Sequence, residues 1–94
     1  MDIEFDQNQS LKNARERNLP FELAAQFEWE TSLRWIDERR LYPEKRILAF
    51  GYIANRLHVL VYSPIANGIR VISLRKANQR EITKYEKAIN RQRW

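Results

Sequence analysis

The stretch from Arg46 to Ile53 constrains this chain more than any other. Read with a period of two, Ile47, Ala49, Gly51 and Ile53 fall on one side and Leu48, Phe50 and Tyr52 on the other, so both sides are apolar. A strand of that kind belongs in the middle of a sheet. Ala54-Asn55 reads as a two-residue hairpin turn, after which Leu57, Val59 and Val61 alternate with His58, Leu60 and Tyr62. Ser63 to Gly68 supplies a second turn, and a strand runs from Ile69 to Leu74. Upstream, Leu33 to Asp37 has the same period and ends in the charged turn Glu38-Arg39-Arg40-Leu41-Tyr42-Pro43.

Helical signals lie on either side of this block. Ile3-Glu4-Phe5 is a short alternating segment that reads as a first strand. Asp6 and Ser10 each suit the N-cap of a helix over about 8–17, and Asn18 suits the left-handed position after its end. Pro20 opens a second short helix whose buried side is Phe21, Leu23, Ala24 and Ala25. Ile82, Tyr85 and Ile89 mark an amphipathic helix from Asn78 to about Arg91 with a basic outer face. The expected fold is α+β, with a mostly antiparallel four-stranded sheet, two N-terminal helices and a C-terminal helix, the helices packed on one face. With 94 residues the chain makes one domain, residues 1–94.

Composition removes several kinds of chemistry. There is no Cys, which excludes disulfides, thiol nucleophiles and thiolate metal sites, and His58 is the single His. No metal or other cofactor is therefore expected. No apolar run approaches the roughly 20 residues of a membrane span, and the start, Met1-Asp2-Ile3-Glu4-Phe5-Asp6, is acidic where a signal peptide is basic. The expectation is a cytoplasmic protein with no membrane partner.

Charge is unevenly placed. Residues 1–44 hold six Lys/Arg against ten Asp/Glu, a balance of −4, and residues 45–94 hold eleven against two, a balance of +9, together the observed +5. A one-sided cation excess on a small domain fits a polyanion, because each neutralised phosphate releases condensed counterions. Nucleic acid is the leading partner. An acidic protein is another, and solvated faces explain the same charge without function.

The candidate residues follow from that excess. Ile69-Arg70-Val71-Ile72-Ser73-Leu74-Arg75-Lys76-Ala77 sets cations and a hydroxyl into an otherwise buried strand, where guanidinium groups can grip a phosphodiester and stabilise the added charge of its cleavage. Alternation puts Ser73 and Arg75 on one side and Arg70 on the other, so they meet only if a bulge re-aims one of them. In Tyr42-Pro43-Glu44-Lys45-Arg46, Glu44 is a candidate general base and Lys45 and Arg46 candidate phosphate ligands. Ser73, Lys76 and Arg80 are further candidate RNA contacts, and His58 is a candidate proton carrier. The structural alternatives are ion pairs of Arg70 and Arg75 with Glu44, Glu81 or Glu86, and a half-buried structural His58. RNA cleavage without metal is chemically open, because the 2′-hydroxyl of RNA is its own nucleophile.

Taken in order, Phe5-Asp6, Asn13, Phe21-Glu22-x-Ala24, Tyr42-x-Glu44-x-Arg46, Gly51, Arg70-Val71-Ile72-Ser73-x-Arg75-Lys76-Ala77 and Glu81-x-x-x-Tyr85-Glu86 resemble the BrnT toxin family of bacterial type II toxin–antitoxin systems. The similarity covers nearly the whole chain and is most specific from Arg70 to Ala77. It implies a fold related to the RelE-type ribonuclease toxins, RNA cleavage that halts translation, and neutralisation by a ribbon-helix-helix BrnA-like antitoxin that also carries the complex to operator DNA. The first-helix motif differs: where the family has a Lys before the Asn and Lys-His-Gly after it, this chain has Gln9 and Glu16-Arg17-Asn18. Pro43 also stands where the family has Gly. These departures support a second reading, a catalytically weak or inactive family member acting as antitoxin partner, operon corepressor or general nucleic-acid-binding module.

Overall fold

The structure is a computed structural model and describes residues 1–92; Arg93, counted in the basic half, and Trp94 lie outside the described residues. The elements run β1 (Asp2–Glu4), α1 (Gln7–Arg17), a 3-10 helix (Phe21–Gln26), β2 (Leu33–Ile36), β3 (Ile47–Ile53), β4 (Arg56–Ile65), β5 (Gly68–Lys76) and α2 (Gln79–Gln92). The α+β class holds. No described helix is long and apolar enough to cross a membrane.

The sheet has five strands rather than the expected four, in the order β1-β5-β4-β3-β2. Strands β2 to β5 form an antiparallel meander, and β1 adds to the outer edge of β5 in parallel, pairing Asp2 with Gly68 and Glu4 with Arg70. Gly68 makes this docking possible, because a Cβ there would overlap the backbone of Asp2. The β3–β4 turn is Ala54-Asn55, with φ of 48° and 63°, the doubly left-handed geometry that matches the twist of a two-residue hairpin. Strand β4 runs past the expected turn to Ile65. Pro64 is tolerated there because β3 begins at Ile47, opposite Tyr62, and so does not reach it.

The helices cover both faces of the sheet, where one was expected. Ala49, Ile53, Leu60, Tyr62 and Val71 form one core with Leu19, Phe21, Ala24 and Phe27, while Leu33, Phe50, Leu57 and Val59 form another with Tyr85, Ile82 and Ile89 of α2. The two apolar sides of β3 demand this arrangement, since leaving either bare would expose a row of large side chains to water.

Asp6 caps α1, accepting from Gln9 N at 3.0 Å, and Asn18 closes it at φ 57°. Ser10, the other candidate cap, lies inside the helix, where its Oγ accepts from Phe21 N at 2.9 Å and donates to Glu22 at 3.1 Å. The second N-terminal helix is a 3-10 segment instead of an α-helix. It ends after six residues because Phe27 turns extended and lays its ring on Gly51. Asn13 Nδ2 then clamps the end of α1 to the sheet, donating to Leu19 O at 2.6 Å and Leu74 O at 2.8 Å.

The Phe27–Gly51 contact leaves no room for a methyl group. Gly51→Ala is expected to destabilise the protein by about 1–3 kcal/mol through overpacking, read as a lower urea midpoint at unchanged m-value.

Candidate functional site

Between β4 and β5 the register shifts. Val61 pairs with Ser73, yet the next residue, Tyr62, pairs with Val71, leaving Ile72 without a partner. This bulge cancels one step of alternation on β5. The partners of Arg75, Ser73 and Arg70 are Val59, Val61 and Ser63, three residues that alternate on one side of β4. All three candidate side chains therefore share the face on which α2 lies. Arg46 joins them: Asp37 N donates to Arg46 O at 2.8 Å, extending the β2–β3 ladder by one residue, and that register sets Arg46 opposite Ser63.

The loop from Asp37 to Arg46 borders this face. Asp37 is its anchor, with its carboxylate accepting from Arg39 Nε at 2.8 Å, an Arg39 terminal nitrogen at 2.7 Å and Tyr42 Oη at 3.4 Å. Arg39 holds the Asp37 carboxyl down to about 2. Tyr42 in turn stacks on Arg46, whose guanidinium carbon lies 4.1 Å from the ring centroid. Arg39 also sits close enough to Arg75 for the two charges to oppose each other. Two buried polar atoms on this face have no hydrogen-bond partner, Arg46 Nε and Ser63 Oγ.

The arginines differ in how they are held. Arg75 is clamped by Glu81 in a bidentate pair at 2.8 and 2.7 Å, which raises its pKa further and depresses that of Glu81. Glu81 also closes a reciprocal capping box with Asn78 at the start of α2, each backbone N–H donating to the other's side chain at 2.9 Å. Arg70 has looser company, Glu44 at 3.4 Å and Glu4 at 3.3 Å, with 46% of its side chain exposed. Exposed pairs of that length are worth about 0–1 kcal/mol. Glu44 is thus delivered beside Arg70, and Lys45 and Arg80 are exposed around the site, whereas Lys76, expected among the RNA contacts, alternates to the opposite side of β5, beside His58.

His58 is not part of this gathering. It pairs with Gly51 and Lys76 on the Leu60 side of β4 and is 3% exposed. Its Nδ1 lies 2.7 Å from Arg56 O, and because a carbonyl only accepts, Nδ1 carries the proton. Burial pushes its pKa below the usual value, with Arg56 and Lys76 adding repulsion. The altered residues of the first-helix motif are elsewhere too: Gln9, Glu16 and Arg17 line a concavity of about 360 Å³ between α1, Phe21 and Ile72, whereas Pro43 lies in the loop that borders the site. Sequence reasoning missed Asp37, Arg39 and Ser63. In the sequence Asp37 reads as a strand end and Ser63 as a turn, and a bulge leaves no residue-type signal at Ile72.

The state of His58 has a consequence for pH. A group whose folded pKa is depressed contributes stability above its unfolded pKa, near 6.5, and loses it as pH falls. Thermal unfolding is expected to show Tm falling from pH 7.5 to 5, and His58→Leu should flatten that limb. An unchanged limb in the variant would contradict this account of His58.

No curated protein and no solved structure shows significant similarity to the chain. A family model, described as the ribonuclease toxin BrnT of type II toxin–antitoxin systems, matches residues 5–81, a span that takes in β2 to β5, the Asp37–Arg46 loop and Glu81. The chain belongs to the BrnT family of ribonuclease toxins of type II toxin–antitoxin systems.

Proposed function

We propose that this chain is a metal-independent endoribonuclease toxin that inhibits translation, with a fold related to the RelE-type toxins, and that the face bearing Arg46, Arg70, Ser73 and Arg75 is where it cleaves RNA. The observation that carries this is the β4–β5 bulge, which turns Arg70 to the same side as Ser73 and Arg75. Such a cluster suits a phosphodiester, whose two non-bridging oxygens share one negative charge and acquire a second as the 2′-oxygen adds to phosphorus.

In this reading Glu44 is the general base. It takes the 2′-hydroxyl proton as the 2′-oxygen attacks, the bond from phosphorus to the 5′-oxygen breaks, and the departing oxygen is protonated from water. Arg70 moves from its carboxylate partners onto the phosphate. Its existing pairs are exposed and long, so the exchange is inexpensive. Arg46, fixed by Tyr42, and Arg75, fixed by Glu81, present charge at set positions. Ser73, Lys45 and Arg80 contact the flanking backbone. A DNA-binding BrnA-like antitoxin neutralises the protein and takes the complex to operator DNA, and the site of action is the cytoplasm.

Arg70→Ala is the test. Its side chain is half exposed, so the fold should survive, while cleavage of RNA should fall about 10²–10³-fold, the loss typical of removing one donor to a developing oxyanion. Inducible expression in a bacterial host should give growth arrest and RNA degradation with the wild type and neither with the variant. Arrest that persists in Arg70→Ala would overturn the assignment.

A second reading, a non-catalytic antitoxin partner and corepressor, draws on two observations. Glu16-Arg17-Asn18 replaces the family's Lys-His-Gly, and Glu81 already occupies one edge of Arg75. Stable antitoxin binding by folded wild type with no RNA cleavage would select it.

A further inference from the structure

Helix α2 carries a row of cations that starts at Arg80, on the edge of the proposed cleavage site, and runs on through residues that neither the core nor that site uses. Arg80, Lys84, Lys87 and Arg91 follow one another at spacings of four, three and four residues. At 100° per residue these lie within roughly 60° of arc, on a line about 16 Å long. All four are exposed, and among the described residues none of them makes an ion pair. No carboxylate interrupts the row, since Glu81 is turned to Arg75, and Glu86 falls about 120° away from Arg80 around the helix.

The row continues the cation cluster. Glu81, the residue next to Arg80, holds Arg75, so α2 starts beside the arginines and leads away from them on the same face of the sheet. The inner side of the helix explains how the row is kept outward: Ile82, Tyr85 and Ile89 are packed on the sheet, and Tyr85 Oη donates to Thr31 O at 2.6 Å. Lys84 is partly fixed as well, its ammonium 4.9 Å from the Trp35 ring centroid. The surface between the cations is lined by Thr83 and Ala88, with no large apolar side chain. A protein partner needs a buried aromatic or aliphatic anchor, which this surface lacks, whereas a sugar–phosphate backbone needs only spaced cations.

We infer that the outer face of α2 is a track for the RNA backbone, which binds the strand outside the cleaved step so that the protein selects polynucleotides over short oligonucleotides. This rests on the RNA reading of the cation face but concerns residues beyond it: Lys84, Lys87 and Arg91 also lie past the segment matched by the family model.

The test is binding by the full chain to a single-stranded 2′-O-methyl RNA of roughly 20 nucleotides, which has no 2′-hydroxyl to cleave through, and to a tetranucleotide of the same chemistry. The triple variant Lys84→Gln, Lys87→Gln, Arg91→Gln keeps good helix formers at each position. Because Lys84 also stacks on Trp35, the double variant Lys87→Gln, Arg91→Gln is measured beside it, and circular dichroism confirms both folds. The triple variant should bind the longer RNA about tenfold more weakly and lower its salt slope by about 2, at about 0.7 per phosphate contact, with under about twofold change on the tetranucleotide. Unchanged binding of the longer RNA, equal loss at both lengths, or loss of an acidic antitoxin with RNA binding intact would overturn the inference. A wild type that binds through the row yet cleaves no RNA would support it and sink the cleavage reading alone.

Discussion

A single unpaired residue, Ile72, decides which way the basic strand faces. Without the shift between Val61 and Tyr62, the alternation of β5 would send Arg70 to one side of the sheet and Ser73 and Arg75 to the other. With it, both halves of β5 satisfy the core: Val71 and Ile69 pack with Leu60 and Tyr62 on one face, and the polar residues fall together on the opposite one. The core and the site therefore depend on the same bulge. So does the use of the loop that precedes β3, because Arg46 and Glu44 reach the cluster only if Arg70 faces them.

Within the cluster, positive charge is managed by carboxylates of two kinds. Glu81 is fully engaged, bound to Arg75 through both oxygens and to Asn78 N through one, and so ties the end of β5 to the start of α2. Removing it would free a guanidinium and unpin a helix cap together. Glu44 and Glu4 hold Arg70 at longer range in solvent, where screening leaves such pairs little net energy. In the proposed reaction this difference gives the arginines distinct parts: Arg75 sets position and field, and Arg70 changes partner when a phosphate arrives.

Much of the fold was legible in the sequence. The two-sided apolar pattern of Ile47 to Ile53, the alternation of Leu57 to Tyr62, the Ala54-Asn55 turn and the left-handed Asn18 all appear as read, because each is a local signal. What was not legible is long-range. Three residues of β1 find their place only through the absent side chain of Gly68, and helices on both faces follow from packing that a strand-by-strand reading undercounts. The site divides in the same way. Arg46, Glu44, Arg70, Ser73 and Arg75 stand out as polar residues in or beside apolar strands, whereas Ser63 and the Asp37–Arg39 anchor emerge only once register and loop path are known.

In the proposed function RNA meets the face bearing Arg46, Arg70 and Arg75, and not the opposite side, where α1 carries the altered family motif. The most direct measurement is an NMR titration of isotope-labelled protein with a 2′-O-methyl oligonucleotide. The account predicts the largest amide shifts over residues 42–46, 61–63 and 70–76. Shifts centred on Gln9, Lys12, Glu16 and Arg17, with those segments unmoved, would contradict it.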